Sequence, residues 1–253
     1  MSSQKSYFFW KRVFDILFSL ALAVLLFPVV IVFSFLAALE TRAFPFYIQD
    51  RGVFLEGKRF RIYKFRTMRE RTALEANPGA SRIFSKPEYA EYVPLFCGWL
   101  RRTGLDEIPQ LLNILKGDMS FVGPRPLDIG DLEVMKRESP SLYGMRASLT
   151  SPAGLTGLWQ LFGSREKGAE NLVSLDLLYE QNRSFMLDLS LLLRTLPTAL
   201  LGLRADAIVL KPPVRMNEAG GRSQNSDLKG EETQFRVQDE SVRIQAVGLS
   251  PQG

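Results

Sequence analysis

Two adjacent acids, Asp106 and Glu107, are the side chains of this sequence with the clearest capacity for chemistry. The residues around them predict a helix over 106–116, with Asp106 as its N-cap and Pro109 in its first turn. The positive end of a helix favours an ionised carboxyl group, the form that acts as a nucleophile or a Mg²⁺ ligand. Acids in a first turn are also ordinary helix chemistry, so the pair alone leaves a structural and a catalytic interpretation open.

Basic residues on both sides of the acids favour the catalytic interpretation. The nearby cations are Lys64, Arg66, Arg101, Arg102 and Arg125. Prolines flank Arg125, and this stiff turn leaves little backbone entropy to lose when the guanidinium binds a phosphate. Two acids together with a fixed arginine predict a site for a metal–phosphate complex.

The composition narrows the chemistry further. The chain has 253 residues, no His and one Cys, which excludes a Ser-His-Asp triad, imidazole metal ligands and internal disulfides. With 46% hydrophobic residues it can bury a core. The net charge of +5 and the isoelectric point near 9.4 indicate an anionic partner: nucleic acid, an anionic membrane surface or phosphorylated substrates.

An uncharged run of 24 residues, from Ile16 to Leu39, passes the length expected of a membrane helix. It is too long for a signal peptide, and no small-residue cleavage site closes it. Basic residues flank both ends, so the positive-inside rule favours a helix that enters and leaves the same leaflet with a break at Pro28. A plain single span with a cytoplasmic C-terminal side is the alternative.

The rest of the chain shows a sequence of local patterns. Strand and turn residues over 43–66, with a turn at Gly52, predict a small hairpin, and 70–95 is polar and irregular. Gly117 ends the helix that carries the acids. We expect an extended Pro-rich turn over 120–127, helix over 170–206, and disorder over the polar residues 212–253.

Several blocks of residues together resemble the bacterial sugar transferases, which are monotopic polyprenyl-phosphate phosphoglycosyl transferases. In chain order they are KRVFDI at 11–16, YKFRTM at 63–68, LRRTGLDEIPQL at 100–111, KGDMSFVGPRPL at 116–127, GLTGLWQ at 154–160, and DLLY at 176–179, which leads into LDL at 187–189. The resemblance covers about residues 8–206. About ten residues precede the first block, so we expect the small form of the family, which initiates exopolysaccharide or O-antigen assembly.

The resemblance implies transfer of a sugar 1-phosphate from a UDP-sugar to undecaprenyl phosphate, with UMP as the other product. It makes Asp106 the nucleophile that carries the phosphosugar and Glu107 a metal-associated or base partner, with Mg²⁺ near one or both. Further site residues follow by position: Lys64, Arg66, Arg101 and Arg125 for the diphosphate, and Asp176, Gly154, Thr156 and Gln160 for polar or nucleotide-sugar contacts. The stretch 154–160 could equally be a structural turn that packs on the core.

The implied fold is α+β: a mostly helical, membrane-associated catalytic domain with an N-terminal re-entrant helix, a small β-hairpin and interfacial amphipathic helices. Its parts are the re-entrant helix at 1–42, a cytoplasmic core at 43–211 and the tail at 212–253. Residues 187–203 fit an interfacial helix that Pro197 bounds.

The implied partners are a UDP-sugar, undecaprenyl phosphate and membrane lipid, at the cytoplasmic face of the bacterial inner membrane. A homo-oligomer or a complex with downstream glycosyltransferases stays open. A catalytically degenerate scaffold for glycan-assembly proteins is the alternative function, and the complete set of acids and arginines weighs against it. The apolar run excludes a soluble nucleic-acid binder.

Overall fold

The computed structural model describes residues 3–69, 93–164 and 167–200. The expectations for 70–92, for 201–206 at the end of the predicted helical region, and for the tail at 212–253 lie outside these residues. The described part is α+β, as predicted, with a long apolar N-terminal helix, two small sheets and a set of shorter helices.

The N-terminal helix α1 runs from Ser3 to Thr41 without interruption, and Pro28 lies inside it. The helix does not end at Pro28, because the loss of one backbone hydrogen bond does not stop the helical turns on either side, and a kink at this residue stays a prediction. α1 is long and apolar enough to cross a membrane, and most of its apolar side chains are not covered by the protein. This surface indicates a membrane location, and the re-entrant path stays a prediction.

The predicted hairpin is confirmed. Strands β1 (Phe46–Gly52) and β2 (Arg59–Phe65) pair antiparallel, with Phe46 opposite Phe65 and Gly52 opposite Arg59. The turn occupies 53–58 and not Gly52, which is still paired on both sides, to β2 and to strand β4 (Leu127–Asp128). The sheet order is β2-β1-β4, so β1 is the central strand.

A second sheet has two strands, and one of them lies within 120–127, where we expected a Pro-rich turn. Strand β3 (Ser120–Val122) runs parallel to β5 (Gly154–Thr156). A side chain on Gly154 would meet the backbone nitrogen of Gly123 at 2.2 Å, so only glycine allows these two chains to approach so closely.

The shorter helices are α2 (Leu95–Thr103), a 3-10 helix (Leu105–Gln110), α3 (Leu111–Lys116), α4 (Ile129–Glu138), α5 (Pro140–Ala147), α6 (Leu158–Phe162), α7 (Gly168–Asn182) and α8 (Phe185–Leu200). The predicted helix over 106–116 is thus a 3-10 helix followed by α3, and it ends at Gly117 as expected. The predicted helical region 170–206 is divided near Arg183, and Pro197 lies within α8 instead of bounding it.

The core forms where the sheets meet the later helices. Trp159, Leu172 and Tyr179 are almost fully buried there. α8 adds Leu191 to this core, and its opposite side exposes apolar residues such as Met186 and Leu193. α8 is therefore amphipathic, in agreement with the predicted interfacial helix.

The segment that carries the two acids is capped at both ends by α1. At the start of α2, the Glu40 carboxylate accepts hydrogen bonds from the backbone N–H groups of Phe96 (3.3 Å) and Cys97 (3.0 Å). At the end of α3, Arg12 donates to the carbonyl oxygens of Ile114 (2.5 Å) and Leu115 (2.8 Å). These are groups that a helix leaves without internal partners, and each cap complements the dipole at its end. The segment 95–116 therefore runs antiparallel to α1.

Candidate active site

The two acids lie in the first turn of the 3-10 helix, directly after α2. Gly104 separates the two helices with φ 71°, a left-handed conformation that suits glycine, and the N–H of Glu107 donates to its carbonyl oxygen at 3.1 Å. The expectation that Asp106 is an N-cap is wrong, because Gly104 occupies that position. Asp106 is only 9% exposed, next to Glu107.

Five of the predicted site residues line one cleft: Lys64, Glu107, Arg125, Gly154 and Gln160. They come from β2, the 3-10 helix, the turn before β4, β5 and α6. Residues far apart in the sequence thus meet at one place, where two cations, an acid and a neutral amide face the same space.

Lys64 and Glu107 form an ion pair across the cleft wall, with 2.6 Å between Nζ and Oε1. Each side chain is about one-fifth exposed, so both remain in contact with the cleft opening. The pair orients the lysine ammonium group and the glutamate together, and the ammonium group keeps donors for a second anion.

A buried ion pair between Asp176 and Arg146 holds the backbone of Arg125 in place. Asp176 accepts a hydrogen bond from the Arg125 N–H at 3.3 Å and pairs with Arg146, which also donates to the Arg125 carbonyl oxygen. Burial raises the pKa of Asp176, and the Arg146 charge opposes that shift. Asp176 is 1% exposed and does not line the cleft, so its contribution is to position Arg125.

Four other predicted residues lie outside the lining of this cleft, namely Asp106, Arg66, Arg101 and Thr156. Arg66 donates through Nε to the carbonyl oxygen of Phe44 at 3.0 Å. Arg101 donates to Thr67 Oγ1 at 3.0 Å, and the hydroxyls of Thr156 and Thr195 are 2.8 Å apart. The structure gives Arg101 and Thr156 contacts that hold the surrounding elements together.

Two polar atoms in the cleft lack hydrogen-bond partners among the residues that the structure describes. They are Arg51 Nε, a donor, and Gln160 Oε1, an acceptor. A buried polar group without a partner costs free energy unless a ligand or water completes it. A buried donor and a buried acceptor without partners, on two residues that line one cleft, are therefore candidates for pairing with a polar ligand.

The stretch 154–160 contributes both to the core and to the cleft. Trp159 is 1% exposed and packs in the core, whereas Gly154, Leu155 and Gln160 line the cleft. The stretch thus packs on the core through Trp159 and lines the cleft through Gln160, and both residues belong to helix α6.

Comparison with known proteins identifies the family. The profile of the family described as bacterial sugar transferase matches residues 6–202. The chain belongs to the bacterial sugar transferase family. The predicted resemblance is confirmed, and the cleft is the candidate active site of a sugar transferase.

Curated relatives extend along most of the described core. The sugar transferase is similar to the exopolysaccharide production protein ExoY of Sinorhizobium fredii, at 35% identity over 202 residues, and to that of Rhizobium meliloti, at 36% over 201 residues; both alignments cover 76% of this chain and 85% of the relative. It is also 31% identical over 202 residues to the undecaprenyl-phosphate galactose phosphotransferase of Salmonella typhimurium, covering 76% of this chain but only 41% of that longer protein.

The donor set of the sugar transferase suits a metal that is shared with substrate. Within residues 3–69, 93–164 and 167–200, no group of three acidic or cysteine side chains could enclose an ion. Mg²⁺ is commonly held by one or two carboxylates together with substrate phosphates and water. Asp106 and Glu107 are the pair of carboxylates that would hold the ion in that mode, and Lys64 already pairs with Glu107.

Sequence reasoning missed Arg51 and Gln110, which also line the cleft of the sugar transferase. Arg51 stands among the basic residues after the apolar run, and the positive-inside rule accounts for such a charge without a role in the site. Its place in the site depends on the pairing of β1 with β4, which sets Arg51 opposite Asp128. No local pattern in the sequence reveals that pairing.

Proposed function

We propose that this sugar transferase moves a sugar 1-phosphate from a UDP-sugar to undecaprenyl phosphate and releases UMP. The product, undecaprenyl-diphosphate-sugar, would begin the assembly of an exopolysaccharide, O-antigen or glycoprotein glycan. The names of the relatives support an exopolysaccharide role and an undecaprenyl-phosphate acceptor.

The observation that carries this proposal is the meeting of Lys64, Glu107 and Arg125 in one cleft, with Asp106 adjacent to Glu107 in the chain. A diphosphate brings at least two negative charges to a site, and the two cations that line this cleft match it. Gln160 also lines this cleft, and a small movement of its side chain would let the unpartnered, buried Oε1 accept from a sugar hydroxyl or a nucleobase N–H.

In the first step, a carboxylate oxygen of Asp106 attacks the β-phosphorus of the UDP-sugar. A bond forms between that oxygen and phosphorus, and the bond from the β-phosphorus to the bridging oxygen breaks. The electron pair leaves with UMP. Lys64 and Arg125 reduce the repulsion between the attacking carboxylate and the diphosphate, and Asp176 keeps the Arg125 backbone in place.

In the second step, a phosphate oxygen of undecaprenyl phosphate attacks the same phosphorus. The bond to Asp106 breaks and its electron pair returns to the carboxylate, so the enzyme is regenerated. Two displacements through a covalent intermediate replace a direct reaction between the two anionic substrates. The substrates can therefore use the same cations one after the other.

We assign Mg²⁺ to Asp106 and Glu107. When bound, the ion would neutralise part of the diphosphate charge. The test is UMP release in EDTA, with and without restored Mg²⁺. We expect release to stop in EDTA and to return with Mg²⁺, and unchanged release in EDTA would contradict the assignment.

We further propose that both ends of α1 lie at the cytoplasmic face of the inner membrane. Lys11 and Arg12 near its start and Glu40 near its end all bond to the same compact body. A straight span would separate its ends by the roughly 30 Å of the hydrocarbon core and so place part of that body in lipid. A monotopic arrangement avoids this and agrees with the basic flanks.

The decisive experiment is UMP release by purified protein with Mg²⁺ and a panel of UDP-sugars, with and without undecaprenyl phosphate. We expect one donor to give sustained release only with the lipid, and a burst of about one UMP per protein without it. Asp106→Asn should abolish both. Asp50→Asn, at an exposed acid of β1, is the matched control and should behave like the wild type.

Two outcomes would contradict the proposal. UMP release by Asp106→Asn at the wild-type rate would remove Asp106 as the nucleophile. If no donor supports release by the wild type, the transferase reaction itself is wrong for this chain, and the scaffold interpretation replaces it.

A further inference from the structure

Arg51 occupies a position in the cleft that the proposed reaction has not used. It lies on the central strand β1, opposite Asp128 of β4 on one side and Phe60 of β2 on the other. Its side chain lines the cleft together with Arg125. Because β1 is held on both sides, the origin of this side chain is fixed by two strands.

A short relay orients the Arg51 guanidinium from one side. Its Nη2 donates to Gln49 Oε1 at 2.7 Å, and Gln49 Nε2 in turn donates to an oxygen of Asp128. The other oxygen of Asp128 caps α4 by accepting from the Gly130 N–H at 2.9 Å. The relay therefore ends on a carboxylate that the start of a helix holds in place.

One nitrogen of the Arg51 guanidinium, Nε, is left without a partner among the described residues, although that atom is buried. Burial and the nearby charge of Arg125 both lower the pKa of Arg51, while Asp128 opposes the shift. Two like charges held close in a cleft repel each other unless an anion lies between them.

We propose that Arg51 binds a substrate phosphate together with Arg125, as a second phosphate-binding residue of this site. The inference rests on the proposed function and deepens it. A guanidinium offers parallel N–H donors that match two oxygens of one phosphate, which an ammonium group cannot reproduce. The phosphate belongs either to the diphosphate of the donor or to the lipid acceptor, and the experiment separates the two.

The test compares Arg51→Gln and Arg51→Lys with Arg61→Gln, an exposed arginine on β2 of the same sheet. For each variant, KM is measured separately for the UDP-sugar and for undecaprenyl phosphate. We expect kcat/KM to fall roughly 10- to 100-fold in Arg51→Gln, as for the loss of a hydrogen bond to a charged group. Arg51→Lys should recover only part of this loss, and Arg61→Gln should match the wild type. The substrate whose KM rises is the source of the phosphate.

A second readout does not depend on turnover. Protection against thermal unfolding by inorganic pyrophosphate and by UDP is measured for the same three variants. We expect protection to weaken in Arg51→Gln and to persist in Arg61→Gln, while the unfolding midpoint without ligand stays at the wild-type value. Weakened protection in Arg51→Lys gives the same answer if Arg51→Gln does not fold.

The outcomes separate this proposal from the proposed function. If the wild type turns over no donor, the proposed reaction is wrong. If Arg51→Gln nevertheless loses the protection by pyrophosphate that the wild type shows, the phosphate-binding role of Arg51 still holds. If Arg51→Gln keeps both the wild-type KM values and the wild-type protection, the role of Arg51 is overturned, whatever happens to kcat.

Discussion

Two polar regions of this protein have similar residue types but differ in how many of their polar atoms have hydrogen-bond partners. Beneath α1, the Lys11 ammonium group pairs with Asp188 at 2.6 Å, and the hydroxyls of Tyr7 (2.8 Å) and Tyr179 (2.7 Å) donate to the same carboxylate. Burial and the Asp188 charge raise the pKa of Tyr179, so its hydroxyl keeps the proton that it donates. These side-chain bonds tie α1, α7 and α8 together, and the Tyr179 hydroxyl also donates to the carbonyl oxygen of Val122 in β3 at 3.3 Å.

The cleft contains comparable groups and leaves some of them incomplete. Within the described part of the chain, Arg51 Nε and Gln160 Oε1 have no partner, and Lys64 and Glu107 are partly exposed. The difference teaches that charge alone does not mark a site. A cluster that satisfies itself holds the fold together, and a cluster that needs a further molecule is suited to binding.

The largest effect on stability should come from breaking the cluster beneath α1. Asp188→Ala leaves the Lys11 charge buried without its partner, and we expect the free energy of unfolding to fall by about 3–5 kcal/mol. Thermal or denaturant unfolding in detergent measures it. The double variant Lys11→Met with Asp188→Leu should regain most of the loss, since no charge is then left alone. A loss under about 1 kcal/mol in Asp188→Ala would mean that the two regions do not differ as described.

The next effect tests how rigidly the cleft wall is built. Gly154→Ala would place a methyl group 2.2 Å from Gly123 N and 2.6 Å from its carbonyl oxygen, so the backbone must move. We expect a loss of about 1–3 kcal/mol in stability, as for other overpacked positions, with a fall in UMP release. Gly144→Ala is the control, because nothing lies within 4 Å of the new carbon in helix α5 and stability should rise by about 0.5–1 kcal/mol. Equal effects at the two glycines would count against a rigid wall.

A smaller effect should follow from removing one cap of the acid-bearing segment. Glu40→Ala leaves the N–H groups of Phe96 and Cys97 without their acceptor, and we expect stability to fall by about 1 kcal/mol. Hydrogen exchange at those two amides measures the local loss directly. Unchanged exchange there would show that water replaces the cap at no cost.

Substitutions in the cleft should change activity much more than stability. Lys64→Met removes a partly exposed pair, so we expect a change of at most about 1 kcal/mol in the free energy of unfolding. UMP release should nevertheless fall roughly 100-fold, because a cation that faces the diphosphate is lost. Parallel unfolding and UMP-release assays on one preparation give both numbers. A large loss of stability with little change in the rate of UMP release would show that Lys64 has a structural role instead.

The smallest expected effect concerns an exposed group far from both regions. Hydrogen bonds from Lys136 and then Tyr143 hold the pKa of Glu56 at about 2, below its ordinary value of about 4.5. A lowered folded-state pKa stabilises the fold above pH 4.5, and this contribution is lost as the pH falls toward 2. The stability difference between the wild type and Glu56→Gln should therefore shrink over that range. A difference that does not change with pH would contradict the assignment.

Local patterns were sufficient for part of this structure. The hairpin of β1 and β2, the end of α3 at Gly117 and the amphipathic character of α8 follow from the spacing of a few residues. The gathering of Lys64, Glu107 and Arg125 also agrees with the prediction that came from the family resemblance.

The remainder depended on contacts between distant parts of the chain. Asp176 was predicted to contact substrate, but its partner Arg146 is brought to it by the packing of α5 on α7. Asp106 was predicted as a cap, and the left-handed Gly104 moved that role by two residues. Such outcomes follow from tertiary packing, which a periodicity or a propensity does not contain.

The double capping of the acid-bearing segment ties the position of the two acids to α1. The segment that contains Asp106 and Glu107 is attached to this helix at two points, Arg12 and Glu40. Lipids of different chain length change how a membrane helix tilts or sits. Under the proposed function, we expect the height of these two carboxylates above the acyl chains, and so their distance from a lipid-borne phosphate, to vary with bilayer thickness. Vesicles of graded lipid length become a direct way to tune the rate of this enzyme without changing a residue.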